Sequence, residues 1–326
     1  MKIPINLALL FLLTLGQAPM PSAPQAEIST PEIRASLYLP DDQSGYYRGT
    51  RFDWAGQIHS LRWKNHEYFG QWFDKYDPKL HDAIAGPVEE FLTGASSLGY
   101  SEAKVGETFV RIGVGAVRKP EEKEYQRFNT YEIVDPGTRR LSKKSDSIEF
   151  VHELKDSGSG YGYVYRKTLR LAKNTLVIEH HLQNTGRKRI ETSVYDHNFF
   201  TLDNQTTGPD FVVRFPFELQ PLKPLSELAA VRGKEIAFAK VFERGQTVYT
   251  ELGGFSAKPS DYDIRIENRQ TGAGVHITGD TPLLKMVFWS AWKTVCPEPY
   301  IDVSADPGKS SSWRITYEFY EATKGR

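Results

Sequence analysis

The sequence predicts an all-β protein, built as a large antiparallel β-sandwich. Short runs of alternating or β-branched residues recur along the chain, and clusters of Gly, Asn, Asp and Pro separate them. No stretch carries a long helical stripe with a cap at both ends. The regular succession of strand, turn and strand indicates antiparallel hairpins, stacked into sheets that bury their facing sides.

The clearest strands are predicted in the middle of the chain, and turn residues join them. The predicted strands cover residues 108–114, 147–154, 161–171 and 175–182. The predicted turns cover residues 135–137, 156–160, 184–186, 271–274 and 306–308. Two short helices are also predicted, at 81–92 and 224–228.

The N-terminal segment has the layout of a secretory signal peptide. Lys2 precedes an apolar run at 7–15, and small residues and prolines follow up to Ala26. The run is short for a retained membrane helix, and no later stretch is apolar enough to span a membrane. We therefore expect residues 1–26 to be removed, leaving a secreted or periplasmic protein. Residues 27–326 are expected to form one domain, and two domains stay open as the alternative at this length.

The composition argues against nucleic acid as a partner and against an internal disulfide as a source of stability. The chain has 41 Lys and Arg against 41 Asp and Glu, with no long basic block, so nucleic acid is not an expected partner. Its single cysteine, Cys296, cannot form an internal disulfide. Stability must come from a large core, for which 18 Phe, 17 Tyr and 6 Trp are available. No pattern in the sequence sets an oligomeric state.

Side chains suited to acid–base chemistry fall in the second half of the chain. A predicted strand ends in the turn 184–186, and the next strand delivers His197 beside two aromatic residues. Asp261 precedes a short alternating strand. Glu298 stands between two prolines, which stiffen the backbone around its carboxylate, and the turn 306–308 follows.

These landmarks, in this order, resemble the aldose 1-epimerase (galactose mutarotase-like) superfamily from residue 45 to residue 322. The resemblance implies a galactose mutarotase-like supersandwich that interconverts sugar anomers by opening the ring. It implies Glu298 as the base, His197 as an imidazolium acid and Asp261 as a partner for a sugar hydroxyl. Such chemistry needs one proton acceptor and one donor, and no metal or other cofactor is expected.

The first half departs from the family's pattern. The Arg and the second His that the family carries there are missing, and the stretches 85–91 and 112–120 stand in their place. Glu90 and Arg118 are then candidate substrate contacts, and Arg118 or Lys119 suits an anionic sugar such as a uronate. Trp292 is a candidate stacking platform. The expected partner is a mono- or oligosaccharide, neutral or anionic.

Ordinary structural roles compete with these assignments. His197 can be a core histidine and Glu298 a plain loop carboxylate. His180 and His181 are adjacent in a predicted strand and point to opposite faces, so they do not hold one metal ion together. No His-x-His or Cys-x-x-Cys spacing indicates zinc elsewhere, so no metal site is predicted.

Two other functions remain open at this stage. One is a carbohydrate-binding protein that has kept the cleft and lost turnover. The other is a polysaccharide lyase or hydrolase on the same fold, because a fold does not determine a reaction. For a lyase acting on uronates, Arg118, Asn129 and Tyr131 are the candidates.

Overall fold

The structure is a computed structural model that describes residues 23–156 and 158–323. Most of the predicted signal peptide, residues 1–22, lies outside this range, so its removal stays a prediction. The strands are β1 Gln25–Ser29, β2 Ile33–Tyr38, β3 Gln57–Trp63, β4 His66–Glu67, β5 Val88–Leu92, β6 Thr108–Arg111, β7 Gly115–Arg118, β8 Ile133–Asp135, β9 Thr138–Lys143, β10 Ser147–Leu154, β11 Tyr163–Ala172, β12 Thr175–Asn184, β13 Ile190–His197, β14 Phe211–Arg214, β15 Gln220–Pro221, β16 Ala229–Arg232, β17 Glu235–Phe238, β18 Thr247–Gly253, β19 Asp263–Asn268, β20 Ala273–Gly279, β21 Lys285–Ala291, β22 Thr294–Ala305 and β23 Ser310–Glu321.

The strands form four sheets, and every pairing between strands is antiparallel, which confirms the predicted fold class. The largest sheet has ten strands in the order β16-β17-β14-β19-β20-β23-β12-β11-β10-β9. The second has six strands in the order β15-β18-β21-β22-β13-β5. Strands β1 to β4 form a four-stranded sheet, and β6 to β8 form a three-stranded sheet.

The ten-stranded and six-stranded sheets form the sandwich. Their facing sides share one apolar core, to which Ile178 of β12 and Ile315 of β23 contribute from the larger sheet. Val194 of β13, Phe288 of β21 and Ile301 of β22 contribute from the smaller sheet. Since neighbouring side chains in a strand point to opposite faces, the residues between these positions lie on the outer face of the six-stranded sheet.

A second apolar cluster covers that outer face. Tyr195 of β13 and Cys296 of β22 belong to it, together with Trp54, Trp72 and Phe109 from the N-terminal part of the chain. The strands β5, β13 and β22 of the six-stranded sheet are therefore largely buried on both sides, and polar residues on their outer face are enclosed between the sheet and the N-terminal segments. Strand β18 keeps one exposed face. This arrangement positions the candidate site.

The two predicted helices are absent among the described residues. Within 81–92, Val88–Leu92 is the strand β5, and the chain around 224–228 is irregular with a turn at 227–228. Gly86, at a φ of 78°, and Pro87 stop any helix before β5 begins. All five residues of β5 are buried, which removes the alternation that marks a strand in a sequence.

Two short 3-10 helices, Leu202–Asn204 and Pro259–Asp261, complete the regular structure. No helix among the described residues is long and apolar enough to cross a membrane. Strand β1 begins at Gln25 and pairs with β2, so the last two residues of the predicted signal peptide are hydrogen-bonded in the sheet.

Candidate functional site

His197 and Glu298 meet on the outer face of the six-stranded sheet. Strands β13 and β22 pair with Tyr195 opposite Tyr300, and continuing this register by two residues places His197 opposite Glu298. Nε2 of His197 lies 3.4 Å from Oε1 of Glu298. Both side chains are nearly enclosed, with 6% and 7% of their surface exposed. The two predicted catalytic residues are thus direct cross-strand neighbours.

The pair lies at the floor of a cleft with a volume of about 340 Å³. Aromatic rings and charged side chains alternate around it, as in sites that bind a polar ring between apolar walls. The cleft is lined by Arg51, Trp72, His81, Asp82, Arg127, Phe128, His197, Phe199, Tyr249, Lys285, Val287, Trp289, Glu298 and Tyr300.

Aromatic contacts hold the His197 ring. It stacks on Phe199 at 3.7 Å between ring centres, and Trp289 meets it edge-on at 5.5 Å. Phe199 has a φ of 39°, which is rare for a bulky residue and turns its ring under the imidazole. Its N–H donates to Sγ of Cys296 at 2.9 Å, which helps to hold this backbone conformation.

His197 is uncharged in this environment. Burial lowers the pKa of its imidazole well below the usual value, and the nearby Arg51 and Arg127 lower it further. Nδ1 of His197 has no hydrogen-bond partner among the described residues, so no carboxylate stabilises an imidazolium from that side. The imidazolium acid that the resemblance implies is therefore not the resting form.

Glu298 shows the opposite shift. Burial raises the pKa of its carboxyl to about 7, although the positive charges of Arg51 and Arg127 act in the other direction. At neutral pH this carboxyl is poised between its two protonation states, which is the property that suits a general acid or base.

A buried carboxylate, Glu90, organises the charged side of the cleft. Arg51 donates from Nε to Oε2 of Glu90 at 2.8 Å, and Arg127 donates from Nε to Oε1 at 2.8 Å. Tyr195 also donates its hydroxyl to Glu90, and Arg111 lies 3.6 Å away. Although burial opposes ionisation, the arginines hold the pKa of Glu90 well below its usual range.

This cluster carries an excess of positive charge. Three guanidinium groups, those of Arg51, Arg111 and Arg127, face the single carboxylate of Glu90. Against Glu90 alone the count leaves two positive charges beneath the cleft, and ionisation of Glu298, whose pKa is raised to about 7, reduces the excess to one. Lys285 at the rim pairs with Glu251 at 2.7 Å. Of the three arginines, Arg127 is the most exposed, with 30% of its side chain open to solvent.

Glu90 therefore lies beneath the cleft, but it binds arginine side chains and is not the substrate contact that the sequence predicted. Its oxygens are occupied by Arg51, Arg127 and Tyr195, and its side chain is fully enclosed. It positions the residues that line the cleft and does not line the cleft itself.

Arg118 and Lys119 lie away from the cleft. Arg118 pairs with Glu132 at 2.8 Å on the surface, and Lys119 donates to two carbonyl oxygens of the loop around Tyr100 and Ala103. Arg118 borders a different surface depression that also includes Asn129 and Tyr131, the residues considered for a lyase. The structure brings those three together but separates them from His197 and Glu298.

Asp261 and Trp292 also lie outside the cleft. The Oδ2 atom of Asp261 accepts the N–H of Ser256 at 2.5 Å and so stabilises a local turn. The Trp292 ring packs beside the sandwich core and is covered by Arg244 and Lys293. Neither side chain is placed to contact a ligand bound at His197.

Sequence reasoning missed the cleft residues that come from the N-terminal half. Arg51 and Arg127 stand in segments without a recognisable motif, and Trp72 resembles an ordinary core residue in sequence, as does Trp289 from the C-terminal half. Only the charge of Arg51, in a run of Gly and aromatic residues, is unusual enough to mark it. These residues meet because distant loops cover one sheet face.

One group of potential metal ligands lies behind the cleft and comprises Glu89, His180 and Asp196. It faces the sandwich core and is separate from the cleft lining. Its geometry is considered below.

Comparisons with known proteins bear on the fold. Neither a scan against protein-family models nor a search of curated proteins finds a match. Among solved structures, a galactose mutarotase-like protein from Clostridium acetobutylicum superposes with a TM-score of 0.57 at 13% identity, over 91% of this chain and 95% of that chain. The aldose epimerase homologue from C. elegans gives a TM-score of 0.56 at 14% identity, over 93% and 100% of the two chains.

A third structure agrees with these two. The galactose mutarotase related enzyme from Lactobacillus acidophilus gives a TM-score of 0.54 at 14% identity, over 92% of this chain and 98% of that chain. At such identities the likeness concerns the fold and not the reaction. The chain therefore has the galactose mutarotase-like β-sandwich fold.

Proposed function

We propose that the protein binds a sugar in this cleft and interconverts its anomers by acid–base ring opening. The contact between Nε2 of His197 and Oε1 of Glu298, at the floor of an aromatic-walled cleft, carries the proposal. The structural neighbours described as mutarotase-related, mutarotase-like or epimerase-homologous support it through the shared fold.

The chemistry requires two proton transfers that cancel. One proton leaves the anomeric hydroxyl as the C1–O1 double bond forms. The C1–O5 bond breaks, and its electron pair on the ring oxygen takes up a second proton. The open-chain aldehyde rotates about C1–C2, and the reverse steps close the ring on the other face. No net proton is consumed, so a pair of groups that carries one exchangeable proton can perform the whole cycle.

His197 and Glu298 form such a pair. Because the pKa of Glu298 is raised to about 7 while that of His197 is strongly lowered, the shared proton rests on Glu298 in the empty cleft. Moving it to His197 gives the arrangement with Glu298 as base and His197 as acid. Both arrangements contain the same number of protons. The group nearest the ring oxygen of the sugar acts as the acid, and the group nearest the anomeric hydroxyl acts as the base.

The substrate we propose is an anionic mono- or oligosaccharide, such as a hexuronic acid or a phosphorylated sugar. One to two positive charges, depending on the protonation of Glu298, lie under the cleft without a carboxylate partner, and leaving them so is costly. A carboxylate or phosphate on the ligand would meet Arg127, the most exposed of the three arginines. Arg118 has no part in this proposal, since it lies outside the cleft.

The test is the rate at which freshly dissolved anomers equilibrate, followed by NMR with and without protein. We expect acceleration for a hexuronic acid or sugar phosphate, and a loss of roughly 100-fold or more in Glu298→Gln and in His197→Asn. Glu132→Gln, a surface carboxylate paired with Arg118, is the matched control. Acceleration that survives in both cleft variants would show that the pair is not catalytic.

Binding without acceleration would instead identify a carbohydrate-binding protein. Release of an unsaturated, ultraviolet-absorbing uronide from a polymer would identify a lyase. Both outcomes would overturn the proposed reaction.

We further propose that the protein is exported and acts in a secreted or periplasmic form. The support is the layout of residues 1–26, with Lys2, the apolar run and the small-residue exit near Ala26. The measurement is the mass of the N-terminal peptide of protein recovered from its native source. A peptide that still begins at Met1 would contradict export by signal removal.

A further inference from the structure

A second polar cluster lies directly behind the cleft, between the two sheets of the sandwich. Glu89 is the neighbour of Glu90 in β5, and Asp196 is the neighbour of His197 in β13. Because side chains alternate along a strand, Glu89 and Asp196 point away from the cleft and into the core. From the opposite sheet, His180 of β12 reaches toward them.

The three side chains converge tightly. One donor atom from each of Glu89, His180 and Asp196 lies within 4.8 Å of the others. Nε2 of His180 is 3.6 Å from Oε1 of Glu89, and both side chains are completely enclosed. A tetrahedral ion with bonds of about 2 Å separates its ligand atoms by about 3.3 Å. The distance of 3.6 Å between His180 and Glu89 is close to this value, and the 4.8 Å limit on the whole group is larger.

The converging atoms lack hydrogen-bond partners outside the cluster. Nε2 of His180, Oε1 of Glu89 and Oδ1 of Asp196 are buried without a hydrogen bond to any other described residue. Within the cluster, the carboxyl groups of Glu89 and Asp196 lie within hydrogen-bonding reach of each other, which requires a proton on one of them. A buried polar atom left in this state costs about 1–3 kcal/mol. Three such atoms aimed at one point indicate a shared ligand that all of them contact.

The surrounding residues hold the donors in place. Nδ1 of His180 is hydrogen-bonded to the Tyr165 hydroxyl at 2.8 Å, and its ring stacks on Trp313 at 4.7 Å. A partner on the second ring nitrogen is what orients a metal-binding histidine. Lys167 binds Oε2 of Glu89 and the carbonyl of Ala55, so it leaves Oε1 of Glu89 open.

The charges also favour a cation. Three buried carboxylates, those of Asp53, Glu89 and Asp196, face the single ammonium of Lys167. Arg139 attracts Asp53 from the outer side, but its N–H groups donate to carbonyl oxygens. With all three carboxyls ionised, one to two negative charges would be left inside the core. Without an ion, burial raises the pKa values of Glu89 and Asp196 and favours their protonated forms, so a divalent ion would bind in place of those protons.

We propose that Glu89, His180 and Asp196 bind a divalent transition-metal ion, for which zinc is the first candidate. One imidazole and two carboxylates form a donor set that zinc accepts, and a water molecule completes four-coordination. The ion joins β5 and β13 of one sheet to β12 of the other, behind Glu90 and His197. Its role is to fasten the cleft floor to the rest of the sandwich.

The proposed site contradicts the sequence-based expectation of no metal. That expectation considered only the pair His180 and His181 and short spacings between ligands. The two histidines do point to opposite faces, and His181 bonds to Ser312 on the outer side. His180 finds its companions on two other strands, which no spacing in the sequence reveals.

The experiment measures metal content and stability independently of any sugar reaction. The full chain is unfolded in guanidinium with a chelator, refolded with or without Zn²⁺, passed through a desalting column and analysed for bound zinc. We expect about one zinc per chain and a midpoint of thermal unfolding raised by about 5 °C or more. Titration of the chelated wild type with Co²⁺ supplies a second readout through its absorption bands.

Substitutions in the cluster test which side chains bind the zinc ion. His180→Gln and Asp196→Asn keep side-chain volume and are expected to lose the bound zinc, and His181→Gln is the matched control that keeps it. Wild-type protein that refolds fully and binds neither zinc nor Co²⁺ would overturn the proposal and indicate that protons neutralise the carboxylates. Zinc that persists in both cluster variants would overturn it as well. Neither outcome tests the proposed sugar reaction, because the rate of anomer interconversion is measured in a separate experiment.

Discussion

Nε2 of His197 and Oε1 of Glu298 lie 3.4 Å apart on adjacent strands, and both groups are enclosed by aromatic side chains. Burial drives their pKa values in opposite directions, downward for the imidazole and upward for the carboxyl. Two groups in contact with displaced pKa values titrate as a unit, so the pair and not either residue alone determines the pH response.

The rate of anomer interconversion should show a bell-shaped dependence on pH. The active pair carries one exchangeable proton, so activity falls as the pH rises through about 7, where Glu298 loses that proton. It also falls well below the usual histidine range, where His197 gains a second proton. The measurement is kcat/KM by NMR from pH 4 to 9, corrected for the spontaneous reaction. A rate that rises steadily through pH 7 would contradict the one-proton pair.

Folding stability should depend on pH through Glu298. Its pKa is about 7 in the folded chain against 4.5 unfolded, so folding takes up a proton between these values. The stabilisation is complete below pH 4.5 and is lost as the pH rises through about 7. Relative to Glu298→Gln, the wild type should lose on the order of 2–3 kcal/mol between pH 5 and pH 8.

Urea unfolding of both proteins at the two pH values measures this difference. The titration of His197 affects both proteins in the same direction, so most of its contribution cancels in the comparison. Unfolding free energies that differ by the same amount at pH 5 and pH 8 would show that Glu298 titrates normally.

Arg127 should determine the preference for an anionic ligand. Arg127→Gln is expected to weaken binding of a hexuronic acid by about tenfold or more and to change binding of the matching neutral aldose much less, since a charge-assisted pair is lost. Added salt should weaken uronate binding to the wild type. Calorimetric titration with both sugars gives the two affinities.

Arg118→Gln provides the comparison for that variant. Arg118 forms a surface pair with Glu132 outside the cleft, so its replacement should leave both affinities unchanged. Equal losses for the neutral and the anionic sugar in Arg127→Gln would point to a packing defect and not to charge recognition.

Trp289 should report ligand binding through its fluorescence. Its indole lies in the cleft wall and meets the His197 ring edge-on, so a bound sugar changes its surroundings. Saturating sugar is expected to shift the emission of the wild type and of Trp292→Phe, because Trp292 lies outside the cleft. The same sugar should shift the emission of Trp289→Phe by a smaller amount, with the remaining response coming from Trp72, which also lines the cleft. A response lost only in Trp292→Phe would place the ligand elsewhere.

The strand pattern of the middle of the chain could be predicted because its causes are local. Strand β10 occupies residues Ser147–Leu154, as its alternating pattern indicated, and β12 begins at Thr175, as predicted. The segment 81–92 shows the opposite case. Strand β5 is buried on both faces, so its sequence has no alternation to detect, and Glu89 and Glu90 resemble a solvated turn.

Sequence reasoning was also right for some residues of the candidate site and wrong for others. His197 and Glu298 could be selected from sequence, since each stands in a segment with a recognisable order of landmarks. Asp261 was selected on similar grounds and Trp292 as an aromatic stacking platform, but both lie outside the cleft. A short motif records which residue types occur together and carries no information on the face to which a side chain points.

The sequence by itself determined the all-β class, the antiparallel strands and turns, and two residues at the floor of the cleft. The class, the strands and the turns depend on side-chain periodicity and turn chemistry over a few neighbouring residues. His197 and Glu298 were selected through the resemblance to aldose 1-epimerases. Only the tertiary structure decided which charges share a site. Arg51 and Arg127 meet Glu90, and His180 meets Glu89, because sheet pairing and covering loops bring together residues far apart in the chain. Their pKa values and net charge follow from burial, which exists only once the chain has folded.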